Sequence, residues 1–140
     1  MVDLDAERAA LLEIHKQDRR GHFETSPQIL AEHQGDDFIY VGNGEISHMS
    51  LADFLLGFER SFKNAMHHEW DDLESPIIRV SDDATLAWMI VRNRVRRHQT
   101  QDDGSEVERK FIYAGIMTYE KKDGKWVRVA NVSTFAEYAP

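Results

Sequence analysis

Residues 85–135, TLAWMIVRNRVRRHQTQDDGSEVERKFIYAGIMTYEKKDGKWVRVANVSTF, decide the fold. Runs rich in β-branched and aromatic residues are interrupted by two polar turns, Gln101-Asp102-Asp103-Gly104-Ser105 and Lys122-Asp123-Gly124. That composition and spacing predict strands over residues 85–98, 108–121 and 125–135. Strands this long joined by turns this short must pair antiparallel. Residues 69–80 have the same character and end at Ser81-Asp82-Asp83, so a fourth long strand is expected in the same meander.

Working back from this stretch, the period of the apolar residues changes from 2 to 3.6. Leu4, Leu11, Leu12 and Ile14 recur at helical spacing and predict an amphipathic helix over residues 3–22. Ser26 and Pro27 form a cap and first turn for a short helix over residues 27–34. Residues 37–41, DFIYV, read as a strand, Gly42-Asn43-Gly44 as a hairpin turn, and residues 45–48 as its return. Ser50, with Asp53 three residues on, starts a helix over residues 51–65 that puts Leu51, Phe54, Leu55, Phe58 and Phe62 on one face. Helices first and strands afterwards give an α+β class.

The chain's 140 residues fit a single domain spanning 1–140. With 41% hydrophobic and 30% charged residues it has globular proportions. The lack of cysteine excludes disulfides, thiolate metal sites and cysteine nucleophiles. A net charge of −8 argues against nucleic acid and against anionic membrane surfaces as partners. No apolar run is long enough for a transmembrane helix, and residues 1–13 lack the basic-then-apolar order of a signal peptide, so a cytoplasmic location is expected. There is no phosphate-binding glycine loop, dinucleotide fingerprint or nucleophile elbow, so no cofactor is expected.

The element order α-α-β-β-α-β-β-β-β resembles the nuclear transport factor 2-like superfamily, and within it the SnoaL-like, ketosteroid-isomerase-like group of small bacterial proteins. The residues that carry the resemblance are Gly35-Asp36-Asp37-Phe38, Gly42-Asn43-Gly44-Glu45, Ala87, and Asp123-Gly124-Lys125-Trp126-Val127-Arg128-Val129. It implies a cone-shaped, curved antiparallel sheet with three helices over its concave face, a pocket inside the cone, and a homodimer through the outer sheet face. The isomerases' general-base aspartate falls at Gly42 here, and their protonated aspartate near Gly115 or Ile116, so steroid isomerisation by that mechanism is not expected. Fold alone does not give function.

Laid on the family pattern, the strands turn Trp88, Ile90, Arg92 and Arg94 inward, then Phe111, Tyr113, Gly115 and Met117, then Val127, Val129, Asn131, Ser133 and Phe135. The substrate-binding candidates are therefore Trp88, Ile90, Arg92, Tyr113, Met117, Val129, Asn131 and Ser133. Each of the large side chains among them would equally serve as plain core. An inward arginine needs a carboxylate or an anionic ligand as partner. On the first helix His15, Asp18 and His22 are spaced i, i+3, i+7 and extend the line of Leu4 and Leu11. Asp18 would orient His15 or pair with Arg92, which makes His15 and Asp18 the catalytic candidates. The bland alternative is a satisfied polar cluster that ties helix to sheet. As metal ligands, His15 and His22 lie about 10 Å apart along the helix, too far for one ion, so no metal site is expected. His67-His68 would start a strand and point to opposite faces.

Two functions fit these residues. One is cofactor-independent acid/base chemistry on a small, partly apolar substrate with a carbonyl or acidic oxygen. The other is a non-catalytic ligand-binding or dimerisation module. Both leave Ile112, Ala114, Ile116, Thr118, Ala130 and Val132 as an outer apolar patch that a homodimer would cover.

Overall fold

Asp3, Ser26 and Ser50 each start a helix by accepting a hydrogen bond from the backbone N–H three residues on, at 3.1, 3.3 and 3.1 Å. Those bonds satisfy N–H groups that have no partner within the helix. In the computed structural model, which describes residues 1–140, the helices are α1 (Leu4–Phe23), α2 (Pro27–Ala31) and α3 (Leu51–Phe62). α2 is shorter than the expected 27–34, because the His33 carbonyl accepts from the Arg128 N–H at 2.7 Å and Gln34 already enters a strand. α3 stops at Phe62, where Lys63 leaves helical geometry and Asn64 turns to φ +55°.

The strands are β1 (Gln34–Gly42), β2 (Glu45–Met49), β3 (Ala65–Asp72), β4 (Ile77–Val80), β5 (Leu86–Thr100), β6 (Glu106–Lys122) and β7 (Lys125–Glu137). The expected single strand over 69–80 is two, β3 and β4, with Pro76 in the break and the Leu73 N–H bonded to the Arg92 carbonyl at 2.9 Å. A proline has no N–H to continue a ladder. Asn43-Gly44 and Asp123-Gly124 both have positive φ, the requirement of the two-residue turns that join β1 to β2 and β6 to β7.

The class is α+β, with three helices on an open, curved sheet of seven strands in the order β2-β1-β7-β6-β5-β3, and β4 beside β5. The meander β3/β4-β5-β6-β7 is antiparallel throughout. The sheet as a whole is mixed, not antiparallel: β1 lies parallel to β7. That pairing joins the first strand to the last and closes one side of the cone. Leu11 and Ile14 of α1 pack on Ala87, Met89, Val91, Met117, Tyr119 and Trp126 as the main core, while Leu30, Phe54 and Phe62 form a second, smaller one.

β5 along its length, and β7 before its bulge, carry the opposite phase from the one the family pattern implies. On β5 the concave side holds Ala87, Met89, Val91, Asn93 and Val95, all buried. Trp88, Ile90 and Arg92 therefore lie on the outer face, where Arg92 is exposed and Ile90 is 36% exposed. The physical reason is charge: the even set continues into Arg92, Arg94 and Arg96, and three arginines in alternation belong in water. On β7 a bulge opposite Thr118 and Tyr119 inserts one residue. Trp126 and Arg128 point inward before it, Asn131 and Ser133 after it. Val129 is the displaced residue, and it packs toward Gly35 instead of into the cone.

Candidate functional site

Between the two cores the sheet's concave face and the three helices enclose a cavity of about 890 Å3. α1 runs along it and presents His15, Asp18 and His22 on one face. Each finds a different partner. His15 Nε2 lies 2.8 and 3.0 Å from the two Asp72 carboxylate oxygens. The Asn93 amide donates to the same carboxylate at 2.6 Å, so Asp72 is held from two sides behind the imidazole. Nδ1 of His15 has no protein partner.

Asp18, mostly buried, forms an ion pair with the buried Arg128 guanidinium. Arg128 also donates to the Tyr119 hydroxyl at 3.3 Å and the Gln34 side-chain oxygen at 3.5 Å. Burial pushes the Asp18 carboxyl above its usual range, and the charges of Arg128 and His15 pull it back. Further along β6 and β7, Tyr113 donates to Asn131 Oδ1 at 3.1 Å and accepts from Ser133 at 3.2 Å. Burial raises the Tyr113 hydroxyl's pKa, so it stays a neutral donor. The Asn131 amide nitrogen has no partner within the chain. Gly115 makes this geometry fit: a Cβ there would stand 2.4 Å from the Tyr113 hydroxyl.

The opposite wall is aromatic. His22 stacks on Trp70 at 3.7 Å between centroids and meets His67 and Phe62 edge-on. Its Nδ1 donates to the Asp18 carbonyl at 2.8 Å. Burial lowers the His22 pKa to about 3, and burial with the charge of Arg97 lowers that of His67 to about 4. Both are neutral imidazoles at pH 7. Arg97 of β5, also on the cavity wall, donates to the Ser61 hydroxyl at 3.0 Å and to the Ser61 carbonyl at the end of α3.

Of the residues singled out in the sequence, the structure places His15, Asp18, Tyr113, Met117, Asn131 and Ser133 on the cavity wall. Trp88, Ile90, Arg92 and Val129 lie outside it, for the reasons of phase given above. Asp18 meets Arg128, not Arg92, and His15 is oriented by Asp72, not Asp18. Sequence reasoning missed Asp72, Asn93, Arg97, Arg128 and Trp70. The alternation around Arg92, Arg94 and Arg96 was the available signal for Asn93. No local signal points to Asp72, which reaches His15 across 57 positions of sequence.

No protein-family model matches the chain, and no curated protein matches it in sequence. Solved structures do match in shape. A candidate Ca/calmodulin-dependent kinase II association domain from Exiguobacterium sibiricum superposes with a TM-score of 0.75 at 11% identity, covering 99% of this chain and 100% of that one. An NTF2-like protein from Cytophaga hutchinsonii gives 0.67 at 16% identity over 91% and 96% of the two chains. A ketosteroid isomerase-like protein from Erwinia carotovora atroseptica gives 0.69 at 12% identity over 94% and 96%. At these identities the likeness is one of fold, and the fold of this chain is the NTF2-like, cystatin-like α+β cone.

Proposed function

We propose that the cone cavity receives a small, partly apolar molecule with a carbonyl or acidic oxygen, and that His15 moves a proton to or from it without a cofactor. The observation that carries this is the Asp72–His15 pair beside the cavity. A carboxylate that accepts from Nε2 fixes the tautomer with its proton there, which leaves the Nδ1 lone pair as the base. Asn93 keeps the carboxylate from turning away. The aromatic wall supplies affinity, and the Asn131 amide, whose oxygen already accepts from Tyr113, donates to the guest's oxygen. Asp18 and Arg128 neutralise one another and hold α1 against β7, a positioning role.

The test is proton exchange. A panel of aryl ketones in D2O, followed by NMR, should lose α-hydrogens faster with the protein than in buffer. His15→Gln should abolish the excess, and Asp72→Asn should reduce it by about a hundredfold, the usual scale of a positioned acid or base. Binding of the ketones without any excess exchange would leave the non-catalytic binding module as the function.

We also infer a homodimer through the outer face of β5, β6 and β7, where Trp88, Ile90, Ile116 and Val132 are side by side. Ile90 and Val132 are 36% and 39% exposed, an apolar strip that a second copy would cover. The association-domain name of one structural neighbour supports assembly through this fold. Ile112, placed in that patch by the sequence, is already buried within the single chain.

A further inference from the structure

We propose that the guest is an organic oxyanion, with its charged head held between Arg97 and Arg109 at the cavity mouth and its apolar body directed inward along the aromatic wall. This rests on the cavity being a small-molecule site, and it assigns the class of molecule. Arg97 and Arg109 are direct cross-strand partners on β5 and β6, both on the cavity wall. Directly opposed residues on one face have Cβ atoms about 5 Å apart, and like charges there repel. In a chain of net charge −8 such a pair would be expected to recruit a carboxylate. Neither arginine has a carboxylate oxygen within 4.0 Å. Glu108 is taken by His98 at 3.0 Å and Lys110 at 3.8 Å. Glu137, opposite Phe111, forms no ion pair.

A second observation concerns Arg97 itself. Ser61 and Gln99 accept from its two terminal nitrogens, but its Nε is buried with no acceptor at all. A buried donor without a partner is costly and calls for an explanation. His67, the remaining polar group beside it, also has a buried unpartnered ring nitrogen, Nδ1. It pairs with Arg97 across β3 and β5. An oxyanion between the two guanidiniums relieves the repulsion and gives the Arg97 Nε an acceptor once the guanidinium turns toward it. Planar guanidiniums suit carboxylate and phosphate oxygens equally. The body of the guest then meets Phe111, Phe62 and Trp70, which explains a charged mouth on an aromatic cavity.

Three probes with one aromatic body test this by calorimetry: 2-naphthoate, 2-naphthamide and 2-naphthyl phosphate. The acid should bind at least tenfold more tightly than the amide, with the difference shrinking as salt is raised. A phosphate ester that binds more tightly than the acid assigns the site to phosphates, and one that binds less tightly assigns it to carboxylates. Arg97→Gln should erase the preference for acid over amide. Because Arg97 also holds the end of α3, Arg109→Gln is the second variant: Arg109 is exposed, so the fold survives, and the preference should fall several-fold. A purely structural Arg97 would lower Tm and leave the preference intact in both variants, which would overturn the proposal. Equal binding of acid and amide overturns the oxyanion alone. Failure of all three probes to bind overturns the cavity's role as a small-molecule site as well.

Discussion

Asp18 and Arg128 form the most buried ion pair of the fold. Replacing one partner leaves the other buried without compensation, which costs about 3 kcal/mol or more. The two losses are unequal. Asp18→Asn strands a guanidinium that cannot shed its proton, whereas Arg128→Met strands a carboxyl whose pKa burial already raises. That carboxyl escapes by taking up a proton. Urea denaturation at pH 5 should therefore show Asp18→Asn to be the more damaging of the two, by at least 1 kcal/mol or so. Equal losses would mean that Asp18 stays ionised even when alone.

α1 meets β3 through the His15–Asp72 pair, through Arg19 on Asp71 and the Trp70 carbonyl, and through stacked rings. His22 stacks on Trp70 and touches His67, and both histidines are neutral because burial disfavours their cations. The folded pKa values, about 3 and about 4, lie below the ordinary 6.5. Between those values and pH 6.5 the unfolded chain binds protons that the folded chain refuses. Stability is thus complete above pH 6.5 and is lost as pH falls through that window, by up to about 1.4 kcal/mol per pH unit for each histidine. Denaturation midpoints measured at pH 7, 6 and 5 should fall. His22→Phe keeps a ring against Trp70 and should flatten the decline. A decline identical in the two proteins would show that His22 does not contribute to it.

At the scale of the molecule, the curved sheet leaves a void between two separate cores, and the outer face keeps an apolar strip. Those two surfaces have different expected occupants, a small molecule inside and a second copy outside. Ile116→Glu changes only the outer one. Sedimentation should give a dimer for the parent chain and a monomer for Ile116→Glu, with the naphthoate affinity unchanged. A parent chain that sediments as a monomer at micromolar concentration would remove the dimer.

Local chemistry was legible from the residues alone: three helices, two of them with their caps, three glycine-containing turns and an antiparallel meander follow from spacing and turn type. These are short-range matters, set by backbone geometry within a few residues. So was the inward face of α1 with His15 and Asp18, because a helix repeats regularly over its length. Strand phase was legible on β6 and on the end of β7, but not on β5 or the start of β7. Residues 86–91 are apolar on both parities, so packing on both sides competes, and a one-residue bulge on β7 reverses every side chain beyond it. The parallel β1–β7 pair and the meeting of His15 with Asp72 depend on the closure of the chain across the whole fold. Nothing near either residue encodes its partner, so only the tertiary structure decided which charges sit together inside the cone and which were left facing the cavity.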